Sequence, residues 1–238
     1  MKSLTKILIG SWLASICSYS AAAVLAKEKL WPQNQTLNVV FLDGEPSQKS
    51  RVKTIAPQWV EGIQLQFRFF ESLKTAPNKT HIRISFDKET GSMLGDHGDY
   101  HSQSPTLLLN ELNTILLESD LAARYILHEF GHALGFEHEF RNPNWPYGEA
   151  PIKLLIEKCV PRLSKIDYSL AEASEKCREL NQPLSKENSF STVYDKHSIM
   201  NYPQSITLKD HSKVIIAAKT KLSALDRLAM ERWYGKSN

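Results

Sequence analysis

The sequence predicts an α+β domain in which two lobes enclose a cleft. Short apolar segments at 37–42 and 81–86 are typical of strands, and two longer segments carry apolar residues at helical spacing. The remaining 100 or so residues are less regular and end in one further helical pattern. We therefore expect strands and two long helices in the first lobe, and an irregular second lobe closed by a helix.

The first 26 residues have the features of a secretory signal. Lys2 and Lys6 precede the apolar run 7–14, and small residues follow. We predict cleavage after Ala26, or else after Ala23, because both positions end an Ala-x-Ala-like site. The apolar run is short and interrupted for a bilayer span, so we expect a secreted or periplasmic protein without stable membrane insertion.

The charge balance gives no indication of a nucleic-acid partner. The whole chain has a formal net charge of +3, and removing residues 1–26 takes away two lysines and no acids, which leaves +1. A value this close to zero does not favour polyanion binding. We therefore expect no nucleic-acid partner.

The first lobe begins with the predicted strand Leu37–Leu42, and an amphipathic helix follows. Because proline lacks an amide hydrogen, Pro57 is expected to mark the start of this helix or a kink in it. Further strands are predicted at 81–86 and 105–110. The apolar stripe of the helix is expected to pack in the core and consists of Val52, Ile55, Trp59, Ile63, Phe67 and Phe70.

The second helix is predicted to begin near Ser119 or Asp120, which are good capping residues, and to end at Gly135. One stripe of this helix contains Leu121, Tyr125, His128 and His132.

Residues 128–138 carry the pattern of a catalytic zinc site. His128 and His132 are four residues apart, so they lie on one helical face and can bind one metal ion. Gly135 can adopt a positive φ that ends the helix, and the turn then brings His138 towards the metal as a third ligand. Three protein ligands leave a coordination position open for water, and Glu129 can reach that water.

A bare His-Glu-x-x-His pentapeptide is a weak signal, because a solvated helix face can carry two histidines by chance. Here Gly135 and His138 extend the pattern, and the segment 198–203 (Ser-Ile-Met-Asn-Tyr-Pro) supplies a methionine turn. The extended pattern with such a turn is the metzincin signature.

Several details resemble the astacin family of metzincin zinc peptidases. Glu139 directly follows the third histidine, and the turn is similar to the family's Ser-x-Met-His-Tyr, with Asn201 in place of histidine. Tyr194-Asp195 lies just upstream, as in many astacins. A looser similarity covers nearly the whole mature chain, at 30–31, 37–41, 91–95, 105–110 and 138–143.

The resemblance implies a metzincin-type two-lobed peptidase domain at 27–238, with lobes 27–138 and 139–238 and a twisted, mostly parallel sheet. It implies one catalytic zinc ion bound by His128, His132 and His138, with Glu129 as general base. Tyr202 would bind zinc in the resting enzyme and later hydrogen-bond the oxyanion. Met200 would lie in the turn beneath the metal, and an extended protein or peptide substrate would add a strand to the 105–110 edge. We expect the enzyme to be a monomer.

The mature chain keeps two cysteines, Cys159 and Cys177. An exported chain with two cysteines is expected to pair them, although two buried free thiols are the alternative. They lie on predicted helices at 151–160 and about 167–180, with Pro161 between, so the pair would cross-link a helical hairpin. The segment 143–193 is long for an astacin, and we interpret the hairpin as an insertion beside the cleft.

Other interpretations of the sequence predict different results. His97-Gly98-Asp99 superficially resembles a structural zinc element, but a polar loop over the cleft is the better prediction. The zinc pattern could belong to another metzincin subfamily in which Tyr202 only packs. It could also belong to a secreted binding module without turnover, although the intact Glu129 disfavours this.

The last helix is predicted at 223–234, with a Ser223–Asp226 capping box and a stop at Gly235.

Overall fold

A five-stranded sheet and two helices form the first lobe in the computed structural model of the chain, which describes residues 23–87, 89–165, 168–191, 193–208 and 210–237. The helices are α1 (Pro46–Ile55), α2 (Asp120–Ala133), α3 (Ala150–Leu163), α4 (Leu170–Asn181) and α5 (Ala224–Tyr234). The strands are β1 (Val24–Ala26), β2 (Thr36–Phe41), β3 (Gln66–Phe70), β4 (Ile82–Ser85), β5 (Gly91–Ser92), β6 (Leu107–Leu108), β7 (Ser189–Ser191), β8 (Gln204–Thr207) and β9 (Lys213–Ile216).

The main sheet has the strand order β3-β2-β4-β6-β5, and all its pairs are parallel except β5 with β6. This confirms the predicted α+β class and the mostly parallel sheet. All four residues of β4 are buried, as expected for a central strand covered on both faces. The Trp59 indole donates to the Leu127 carbonyl, which joins the segment after α1 to α2.

The predicted substrate edge at 105–110 is wrong. Only Leu107–Leu108 forms a strand there, and it is paired on both sides, with β4 and with β5. The edge of the sheet on this side is β5, whose outer backbone groups have no strand partner among the described residues. Strand order depends on contacts between distant segments, so the local pattern could not reveal it.

The predicted first helix is partly wrong. α1 begins at Pro46 and ends at Ile55, a 3₁₀ turn at Ala56–Trp59 follows, and the chain then turns through Gly62 at φ 72°. Phe67 and Phe70 therefore lie in β3, paired with β2, and not on a helical stripe. Their three-residue spacing fitted a helix, but the alternating, aromatic-rich segment 66–70 has the composition of a strand.

The other predicted helices are confirmed with small shifts. Ser119 caps α2 by accepting from Ala122 N, and Gly135 follows the helix with φ 90°. Ser223 and Asp226 form the predicted capping box at the start of α5, and Gly235 ends it with φ 79°.

A disulfide joins Cys159 on α3 to Cys177 on α4, as predicted, so the two helices form a cross-linked hairpin. Pro161 lies inside the last turns of α3 and not between the helices. The predicted start of the second helix at Asp167 lies outside the described residues, and α4 begins at Leu170 after the capping residue Ser169.

β1 ties the start of the described chain to both lobes. It pairs with β7, and Glu137 N donates to the Val24 carbonyl while Ala26 N donates to the Gly135 carbonyl. Val24 and Leu25 are fully buried. Residues 1–22 of the predicted signal lie outside the described residues, but cleavage after Ala26 would remove this strand, whereas cleavage after Ala23 would keep it.

We predict that a chain starting at Lys27 is less stable than one starting at Ala23. Removing two buried aliphatic side chains from the core lowers the free energy of unfolding by about 3–6 kcal/mol. Urea unfolding of both chains measures this difference, and a chain starting at Val24 is the control that keeps β1. Equal stability of all three would contradict a structural role for the strand.

Candidate metal centre

Three imidazole rings converge at the end of α2. His128 and His132 project from one face of the helix, and the turn at Gly135 brings His138 against them. Nε2 of His138 lies 3.2 Å from Nε2 of His128 and 3.1 Å from Nε2 of His132. These residues form the one group of three or more His, Cys, Asp or Glu side chains in the described ranges that could hold a metal ion. The structure therefore assembles all three predicted ligands.

The hydrogen bonds of the rings fit metal binding. His128 Nδ1 lies 2.9 Å from the Ile199 carbonyl, and His132 Nδ1 lies 2.8 Å from the Phe136 carbonyl. A carbonyl accepts only, so each Nδ1 carries the proton and each Nε2 presents a lone pair. Lone pairs so close together repel one another, and Zn²⁺ with bonds of about 2.0–2.1 Å in a tetrahedral arrangement would place its nitrogen ligands at about this separation.

The protein environment keeps these rings neutral, which is the form that binds metal. Burial lowers the pKa of His128 to about 3, with a smaller contribution from His132. Burial also lowers the pKa of His132, and it lowers that of His138 well below the usual value. A buried neutral imidazole gives a ligand without a proton to displace at neutral pH.

Glu129 lies next to this group, and its carboxyl is buried with one oxygen that accepts no hydrogen bond from the described residues. Its side chain is 6% exposed, and Oε2 has no hydrogen-bond partner among the described residues. Burial raises its pKa to about 8, with a smaller contribution from the Glu111 carboxylate. A bound cation would lower this pKa again, because it stabilises the charged form. The group is thus able to accept and release a proton.

The methionine turn, residues 198–203, packs against α2 and against the segment that follows the third histidine. Met200 is buried, and its backbone carbonyl accepts from Glu139 N, directly after the third histidine. Met200 packs against α2 at Gly131, where an added Cβ would lie 2.4 Å from the methionine sulfur. Met200 therefore lies beside the turn of α2 that carries the first two histidines, and its place beneath a bound metal stays a prediction.

Tyr202 stands over the site from the end of this turn. Its ring centroid lies 4.2 Å from that of His138 and 5.9 Å from that of His128. The residue is 38% exposed, so its ring borders the cleft. Burial raises its pKa to about 12, with a smaller contribution from Glu129, and the phenol keeps its proton at neutral pH.

Two cavities border the imidazoles, and His132, His138 and Tyr202 line both of them. One, of about 540 Å³, is lined by Glu129 and β5, and the other, of about 660 Å³, is lined by the helical hairpin. An ion pair between Glu89, before β5, and Arg162 of α3 spans the space between these walls. The predicted insertion therefore forms one wall of the cleft.

The sequence analysis missed several buried charges around the site. Arg124 donates to the backbone carbonyls of Asn201 and Lys219, and its position one turn before His128 was an available signal. Glu137 and Arg141 form a buried ion pair beside the third histidine. Asp226 was recognised only as a helix cap, although it also contacts the methionine turn.

The described residues around His97 form no second metal-capable group. His97 Nε2 lies 3.1 Å from the His81 carbonyl, and Asp99 pairs with Arg83. Neither residue belongs to a metal-capable group in the part of the chain that the structure describes. The polar-loop interpretation fits these contacts.

Comparison with known proteins gives structural relatives only. No protein-family model and no curated protein matches the chain. A structure of myroilysin matches with a TM-score of 0.68 and 22% identity, over 90% of this chain and 100% of that one. A crystal structure of myroilysin gives 0.59 and 23%, over 88% and 87%. High choriolytic enzyme 1, a hatching enzyme zinc-protease from the medaka fish Oryzias latipes, gives 0.55 and 15%, over 88% and 96%. The chain therefore has the predicted astacin-type metzincin fold.

We predict that Gly131→Ala destabilises the protein although alanine favours helices. The new methyl group would clash with Met200 and with Trp59 at 3.0 Å, and overpacking a close contact costs about 1–3 kcal/mol. This exceeds the gain of about 1 kcal/mol from helix propensity. Urea unfolding measures the net effect, and Gly91→Ala, where no atom lies within 4 Å, is the control. A more stable Gly131→Ala protein would show that the turn packs loosely.

Proposed function

We propose that the chain is an exported zinc-dependent endopeptidase of the astacin-like metzincins. The observation that carries this proposal is the convergence of three imidazole Nε2 atoms beside the unpartnered oxygen of Glu129. The fold supports it, because its structural relatives include a zinc-protease.

His128, His132 and His138 would hold one zinc ion. Three protein ligands leave a position open, which is characteristic of catalytic and not structural zinc sites. Bound zinc would polarise the scissile carbonyl and lower the pKa of a water molecule towards about 7.

Glu129 is the general base in this proposal. Its Oε2 has no partner among the described residues, so it can accept the proton of the attacking water without first breaking a hydrogen bond. It then passes the proton to the leaving amine. Burial raises the pKa of this carboxyl to about 8, close to neutral pH, so the group can accept the proton of the water and then give it up to the more basic leaving amine.

Tyr202 would stabilise the negative charge that develops on the carbonyl oxygen. A pKa of about 12 keeps the phenol protonated, so it can donate a hydrogen bond to an oxyanion. Its ring packs against His138 at the border of the cleft. We also propose that the same oxygen binds zinc in the resting enzyme, as in the family that the sequence resembles.

An extended peptide would bind along β5. The two residues of this strand have a free edge, and Gly91 and Ser92 line the cavity that also contains Glu129 and the histidines. Backbone hydrogen bonds to a sheet edge recognise a peptide with little regard to its sequence. We propose a protein or peptide as substrate and a monomeric enzyme.

Export is proposed from the signal-like first residues and the disulfide between Cys159 and Cys177, which suits an oxidising compartment. None of the helices in the described ranges combines the length and apolar character that crossing a membrane requires. We propose cleavage after Ala23, because this keeps the buried strand β1.

We expect Glu129→Gln to retain zinc and lose activity by about 10²–10⁴-fold, because the amide cannot accept the proton. Casein hydrolysis and zinc analysis of the purified protein measure the two effects. Glu89→Gln is the matched control, since it removes an exposed carboxylate from the wall of the same cavity without removing the base. If wild-type protein binds zinc but cleaves no peptide, the chain is a binding module. If Glu129→Gln keeps normal turnover, the base is elsewhere.

We expect Tyr202→Phe to retain zinc and lower turnover by about 10²–10³-fold, with a smaller change in KM, as for other lost oxyanion donors. With copper in place of zinc, wild-type protein should show a phenolate charge-transfer band that the variant lacks. Tyr125→Phe is the control, because it removes a phenol from the same cavity. Unchanged rate and spectrum in Tyr202→Phe would indicate a metzincin of another subfamily, in which this tyrosine only packs.

A further inference from the structure

A fully buried carboxylate links α5 to the methionine turn. Asp226 Oδ1 accepts a hydrogen bond from Ser198 Oγ at 2.7 Å, and Oδ2 accepts from Ile199 N at 3.0 Å. Oδ2 also accepts from Ser223 N at 2.9 Å. Two of these three donors belong to the turn and not to the helix that carries the carboxylate.

Ile199 of the turn contacts both Asp226 and the first histidine. Ile199 donates its N–H to Asp226, and its carbonyl accepts from His128 Nδ1 at 2.9 Å. Ser198 Oγ, which donates to Asp226, accepts in turn from Met200 N at 3.0 Å. The backbone of Ile199 is therefore held on one side by a carboxylate and on the other by an imidazole.

We propose that Asp226 is a positioning residue for the metal ligand His128, acting through the backbone of Ile199. The proposal rests on the proposed function, because it assigns His128 to a zinc ion. Fixing the Ile199 carbonyl fixes the Nδ1–H of His128, and with it the direction of the Nε2 lone pair. Groups that orient a ligating histidine through its second nitrogen change metal affinity by about 10–100-fold.

A role limited to capping α5 does not account for these contacts. Ser223 already caps the helix, since its Oγ accepts from Leu225 N and Asp226 N. The bonds from Asp226 to Ser198 and Ile199 satisfy no helix terminus. Ser198 and Ile199 are fully buried, so without the carboxylate their hydrogen-bond donors would be left without a partner, because water does not reach them.

The test measures metal affinity, with Zn²⁺ and Co²⁺ as probes of the full chain. We expect Asp226→Ala to weaken zinc binding by about 10–100-fold in chelator competition. We also expect its Co²⁺ absorption bands to shift, because a reoriented imidazole changes the ligand field. Met230→Ala is the control, since it truncates a buried side chain of the same helix and leaves the hydrogen bonds between Asp226 and the turn in place. It should leave both readouts unchanged.

Equal zinc affinities and Co²⁺ spectra for wild type and Asp226→Ala would overturn the proposal. The same would follow if Met230→Ala weakened zinc binding as much as Asp226→Ala at a matched loss of thermal stability. If Asp226→Ala does not fold, Ser198→Ala decides, and we expect it to weaken zinc binding by several-fold with the same spectral shift. If wild-type protein binds neither metal, the proposed function itself fails, and this outcome is distinct from a positioning role that is wrong.

Discussion

The crowding of three imidazole nitrogens is the constraint on which the rest of the site depends. Their Nε2 atoms lie 3.1–3.2 Å apart along two sides of the group, and two of the rings are fixed by backbone carbonyls so that their lone pairs face inwards. Such an arrangement is unfavourable unless a cation occupies the shared space. The fold therefore holds the three rings in an arrangement that is electrostatically unfavourable without a cation. The buried polar contacts around the rings keep them in this arrangement.

Both lobes contribute to that geometry. α2 supplies two rings, and the positive-φ turn at Gly135 brings the third. The second lobe supplies the methionine turn, whose carbonyl at Ile199 orients His128. Buried groups then hold the turn itself, because Glu139 accepts from Asp195 N, and Asp195 accepts from Ser223 Oγ. Glu139 and Asp195 are both buried, and this burial raises the pKa of the Glu139 carboxyl.

The metal ligands could be predicted from the sequence because their spacing is local. A four-residue interval and a following glycine define one helix and one turn, and no distant contact is needed. The same holds for Ser119 and Ser223 as helix caps. The disulfide was predictable from the expected compartment, since only two cysteines remain after the signal.

The features that could not be predicted depend on distant contacts. Phe67 and Phe70 fitted both a helical period and the composition of a strand, and the pairing with β2 decides in favour of the strand. The free edge is β5 and not 105–110 because β4 and β5 occupy both sides of β6. The sequence indicated only a helix cap for Asp226, because its hydrogen-bond partners in the methionine turn lie 27 and 28 residues away along the chain. Sequence patterns describe short-range order, whereas these contacts exist only in the folded chain.

X-ray absorption at the zinc edge tests the central claim most directly. The account predicts that the purified protein, loaded with one equivalent of zinc, shows three histidine nitrogen ligands at about 2.0–2.1 Å, with the remaining ligation from oxygen. Replacing His138 by alanine should remove one histidine from this shell and leave two. A zinc ion with fewer than three histidine ligands in the wild-type protein, or a shell unaffected by loss of His138, would contradict the account.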